Sequence, residues 1–113
     1  MKRIEIVNLF RVLNVIRTAG MTDSEVKGAL ISAHLKLFKY AKENDDFVAS
    51  VTERFTPEES ADADNTYDKW LNEEVDVTLD KIDRDVFARE VAKTETDIYL
   101  GSLDCLEPLF KED

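Results

Sequence analysis

One histidine, one cysteine and 25 carboxylates are the groups of this 113-residue chain that could carry acid–base, nucleophilic or metal chemistry. Nucleophilic catalysis needs a base that accepts a proton near neutral pH, and His34 is the only imidazole available to a serine or to Cys105. His34 lies one position from an apolar stripe, between Ala33 and Leu35, as a histidine at a core margin does. Cys105 stands among Leu103, Leu106 and Leu109, the setting of a small buried hydrophobe. Asp62, Asp64, Thr66 and Glu73 have the spacing of oxygen ligands in a calcium loop, but Tyr67 occupies the sharp-turn position that needs glycine. Carboxylate pairs such as Glu73 with Asp76, or Asp80 with Asp83, arise readily in so acidic a chain. Gly20, Gly28 and Gly101 are scattered, so there is no loop to cradle a phosphate. The chain therefore reads as no enzyme, with no catalytic residue, cofactor, metal or small-molecule substrate assigned.

The length suits one compact domain over residues 1–113, and 43% hydrophobic with 35% charged residues suits a globular fold. Charge is unevenly placed: residues 1–54 carry a net +2 and residues 55–113 a net −12. Phosphate affinity comes from clustered Lys and Arg, so direct nucleic-acid binding and anionic membranes are disfavoured. No apolar run approaches the roughly 20 residues of a membrane span, and the first five residues lack the apolar region of a secretory signal. One cysteine makes no internal disulfide. Together these features predict a cytoplasmic protein. Crowded acids would raise one another's pKa values and weaken the fold as pH rises, but Lys69, Lys81, Arg84, Arg89 and Lys93 lie among them, so a weak effect is expected.

Several elements would position these groups. Residues 2–7 alternate in part and predict a short strand, after which Asn8 caps a helix whose Leu9, Val12, Leu13, Ile16 and Ala19 lead to Gly20. Thr22 and Glu25 have capping-box spacing. From Val26 the stripe Leu30, Ala33, Leu37, Ala41, Val48, Val51 and Phe55 predicts one projecting helix over residues 23–55, with no Pro to bend it. A second long helix starts at Thr56-Pro57-Glu58-Glu59 and runs to about Asn72. Trp70 is expected to anchor that helix to the sheet. Val75, Val77 and Leu79 alternate with Asp76, Thr78 and Asp80, the clearest strand pattern in the chain. Residues 83–93 read as a short helix with Val86, Phe87 and Val91 inward, residues 98–100 as a possible third strand, and Ser102 as the cap of a last turn. The predicted fold is α+β: a long antiparallel helical pair beside a small sheet of two or three strands.

The layout, with Leu71-Asn72-Glu73-Glu74-Val75-Asp76-Val77 leading from helix into strand and a C-terminal Leu103-Asp104-Cys105-Leu106-Glu107-Pro108-Leu109-Phe110, resembles an uncharacterised family of small phage and prophage proteins. That resemblance implies a bacterial host cell and brings no functional residue. The function expected is a non-catalytic structural or interaction protein acting through protein–protein contacts or self-association. Phe38, Phe47, Val48 and Val51 are the candidate interface residues on the projecting helix. The alternative is an acidic DNA-mimicking or host-directed inhibitor, which would present its acids in rows on one face.

Overall fold

A computed structural model describes residues 1–54 and 60–111, with the side chains of residues 50–54 and 60–65 outside the description. Four α-helices follow in order: α1 (Arg3–Leu13), α2 (Ser24–Arg54), α3 (Ser60–Leu71) and α4 (Arg84–Ala92). A 3₁₀ segment, Leu100–Leu109, comes last. The expected α+β fold is not formed. Among the described residues strand pairing is limited to two isolated bridges, Lys2 with Glu74 (antiparallel) and Ile82 with Phe110 (parallel).

The N-terminal strand is replaced by helix for a physical reason. Alternation over residues 3–6 is too short to fix a period, whereas Ile6, Leu9 and Leu13 recur at spacings of three and four and are all buried. The Glu5 carboxylate accepts the Lys2 N–H at 2.9 Å and closes the first turn. Asn8, expected as a cap, therefore sits inside α1. The helix stops at Leu13, earlier than Gly20. Gly20 nevertheless has a positive φ of 96°, in the loop leading to α2.

Helix α2 is continuous over 31 residues, about 46 Å at 1.5 Å per residue, in a molecule 52 Å long and 27 Å by 23 Å across. Its cap is Asp23, whose carboxylate accepts the Val26 N–H at 3.0 Å, one residue later than the Thr22 expected. Val26, Leu30, Ala33 and Leu37 form the buried stripe. Asn44 is buried, and its Oδ1 is satisfied by the Tyr67 hydroxyl, which donates to it at 2.9 Å. The expected helix start at residues 56–59 lies outside the described residues. Helix α3 ends at Leu71, next to the Asn72 at which the predicted helix ends.

The core is formed where α1 and α2 meet α4 and the 3₁₀ segment, around Ile6, Leu9, Val26, Leu37, Leu106 and Leu109. Leu103, Leu106 and Leu109 are three apart, the period that lines up one face of a 3₁₀ helix. The helix expected over residues 83–93 is α4, capped by Asp83, which accepts the N–H groups of Asp85 and Val86. Among the described residues, the strands expected at 75–79 and 98–100 find no partner strand. Their alternation is realised as burial alone: Val75, Val77 and Leu79 face the core while Asp76, Thr78 and Asp80 are exposed. No helix among the described residues is long and apolar enough to cross a membrane.

Candidate interaction surface

Helix α2 carries a second apolar line besides its buried stripe. Ile31, Leu35 and Phe38 follow at spacings of four and three, so they share one side of the helix, and they are 46%, 70% and 54% exposed. Phe10 of α1 extends this ridge, with its ring 6.2 Å from Phe38 in an edge contact and stacked on His34 at 4.8 Å. His34 Nε2 lies 2.9 Å from Asn14 Oδ1, which joins the ring to the end of α1. Below Ile31 and Leu35 a cleft of about 270 Å³ is lined further by Leu13, Ile16 and Leu30. The exposed Lys27, Lys39 and Lys42 lie along the same helix.

The four interface residues read from the sequence do not form one surface. Phe38 belongs to the ridge. Phe47 is nine residues on, half a revolution around the helix at 3.6 residues per turn, and faces α3. There it stacks on Trp70 at 4.6 Å with the rings 1° from parallel, and on Tyr67 at 5.9 Å. Phe47 thus packs between helices. Val48 is more exposed, at 37%, and the Val51 side chain lies outside the described residues. Ile31 and Leu35 were legible as apolar residues off the main stripe, but a search for one stripe passes over a second.

Trp70 anchors α3 to α1 and α2, since there is no sheet for it to meet. It is half-buried, with Phe47 stacked on it and the Arg3 guanidinium 4.6 Å from its ring. Arg3 also pairs with Glu73 at 3.1 Å, which ties the start of α1 to the end of α3.

The groups considered for chemistry are placed apart. His34 is held by Asn14 and Phe10, whereas Cys105 is half-buried against the core in the 3₁₀ segment. The calcium-loop residues run through α3, so most of the expected loop is helix. Among the described residues no three His, Cys, Asp or Glu side chains gather in a way that could hold a metal ion.

One carboxylate outside every motif is buried. Glu90, 4% exposed, accepts the Thr22 N–H at 2.8 Å and hydroxyl at 3.3 Å, and Lys93 Nζ at 2.8 Å. The Lys93 hydrogen bond, with those from the Thr22 and Asp23 backbone, holds its pKa down to about 2. The bidentate contact with Arg84, at 2.7 and 2.6 Å, lowers that of Glu107 as well. These shifts run opposite to the crowding effect considered from the sequence. A carboxylate with a lowered folded pKa stabilises the protein above its unfolded value of about 4.3 and loses that contribution as pH falls towards the folded one. Glu90→Gln should therefore lower the melting temperature by several degrees at neutral pH. The gap to the wild type should close between about pH 5 and pH 2; a gap constant across that range would contradict the assignment.

No protein-family model, curated protein or solved structure matches the chain.

Proposed function

We propose that this is a non-catalytic interaction protein of the bacterial cytoplasm that holds a protein partner through the ridge of Ile31, Leu35 and Phe38. The observation that carries the reading is that three large apolar side chains stand exposed on one side of a helix whose opposite stripe already fills the core. A solvated helix face is ordinarily polar, and a contiguous apolar patch is a common mark of an interaction site. Phe38 from the sequence-derived set belongs to this surface, and Val48 adds exposed apolar area further along α2. A phage or prophage setting is supported by the resemblance at residues 71–77 and 103–110.

The distribution of charge favours this reading over an acidic mimic. Glu73, Glu74, Glu90, Glu95 and Glu107 each meet a cation, respectively Arg3, the N-terminal amine, Lys93, Arg17 and Arg84. A mimic would leave such acids free to face a basic cleft.

Affinity capture with the wild type and with the Leu35→Ser/Phe38→Ser double variant tests the proposal. Both side chains are exposed, so the variant should melt within a few degrees of the wild type. A partner retained by the wild type in high salt should bind the variant about 30-fold or more weakly, the size of losing one interface hot spot. Capture abolished by salt and unaffected by the substitutions would transfer the function to the acidic surface.

A further inference from the structure

Residues 75–80 carry the strand pattern of the sequence yet remain unpaired. Val75 exchanges backbone hydrogen bonds with Met1, at 2.7 and 3.0 Å, and the pairing ends there. Among the described residues, no backbone N–H of residues 76–80 donates a hydrogen bond within the chain, and of their carbonyls Thr78 O alone is engaged, accepting from Lys36 Nζ at 2.9 Å. A stretch whose side chains alternate between buried and exposed, with free backbone donors and acceptors, is a template for another strand. In such a chain the groups of Asp76, Thr78 and Asp80 point to one side and those of Val77 and Leu79 to the other. The Lys36 contact shows that the first set faces α2. Between this edge and the helix runs a groove of about 440 Å³, its helix wall formed by Leu35, Lys36, Phe38, Lys39 and Tyr40 and its other wall by residues 76–78. One wall is thus the most exposed part of the apolar ridge, and the other is unpaired backbone.

We infer that the groove takes an extended segment of a partner protein, with alternating apolar and basic side chains, which adds as a β-strand along residues 76–80. The inference rests on the ridge being a protein-binding surface and specifies the form in which the partner arrives. Residues of the added strand opposite Asp76 and Asp80 share their outward face, where Lys or Arg pairs favourably with the carboxylates. The intervening side chains turn inward, against Leu35 and Phe38. A backbone N–H of the partner replaces the Lys36 ammonium at Thr78 O. Lys36 and Lys39 on the helix wall confine the basic residues to the positions opposite Asp76 and Asp80, and the net charge of −10 opposes a second copy of the chain.

The test is selection of short peptides from a displayed random library against the whole protein, followed by N-methylation of the selected peptides one backbone position at a time. Selected peptides should alternate apolar residues with Lys or Arg. N-methylation should weaken binding about tenfold at every second position, where a ladder hydrogen bond is lost, and little at the positions between. Thr78→Pro, which removes a donor facing the groove, should weaken the same peptides, while Thr78→Val should bind them as the wild type does. If Thr78→Pro fails to fold, the N-methyl series on the wild type decides alone. Peptides with apolar residues three and four apart, indifferent to N-methylation but lost with Leu35→Ser/Phe38→Ser, would overturn strand addition and leave the ridge standing. Peptides indifferent to the ridge substitutions, or none selected, would overturn both. A wild-type dimer broken by Thr78→Pro would give the edge to a second copy and overturn the basic partner.

Discussion

Gly20→Ala is expected to destabilise the protein by about 2–4 kcal/mol, although Gly20 is exposed and contributes no side-chain packing. Two causes act together. Its φ of +96° lies where L-residues with a Cβ are strained, and a Cβ built there comes 2.8 Å from the carbonyl oxygen of Lys93. That oxygen is backbone at the end of α4 and cannot swing aside as a side chain would. The loop it meets also delivers Thr22 to Glu90, so relieving the clash would loosen the buried carboxylate's hydrogen bonds. Gly28→Ala provides the opposite sign. Gly28 is an exposed interior position of α2, and an added Cβ there meets nothing within 4 Å. Alanine should stabilise by up to about 1 kcal/mol through helix propensity. Denaturant midpoints of the two variants measure both effects; two substitutions of equal sign would contradict the loop geometry.

Trp70→Ala should cost about 3 kcal/mol, the lower part of the range for removing a large aromatic, because the ring is half-buried. Its neighbours come from three helices: Phe47 from α2, Tyr67 from α3 itself and Arg3 from α1. Losing it should release α3 from both other helices. A double-mutant cycle with Phe47→Leu and Trp70→Leu isolates the stacked pair, and a coupling of about 0.5–1.5 kcal/mol is expected. Additive costs would show that the rings merely bury area side by side.

Helices were legible in the sequence wherever a stripe ran long enough to fix its period. Helix α4 lies within the predicted residues 83–93, and α2 is unbroken as its stripe and lack of proline required. The strands do not form because alternation sets only which side chains are buried, whereas a sheet requires a neighbour. At residues 75–79 the alternation is present, and among the described residues no neighbouring strand is. At residues 3–6 four alternating side chains were outweighed by the longer helical spacing of Ile6, Leu9 and Leu13. Glu90 was hidden for a different reason. A glutamate between arginine and valine on a short helix reads as solvated, and only the docking of Thr22, 68 residues earlier, makes its burial tolerable. The ridge is half legible in the sequence: Phe38 stands out as an apolar residue beside the stripe, but so does Phe47, which points to the opposite side of α2.

The central proposal is that a partner docks on the ridge, and a photo-crosslinking amino acid placed at position 35 tests it most directly. Leu35 is the most exposed ridge residue and Arg89, on α4, is an exposed control away from the ridge. A probe at position 35 or 38 should form the same discrete adduct in a lysate of the encoding organism, and a probe at position 89 should not. Adducts formed equally from position 89, or from no position on α2, would contradict it.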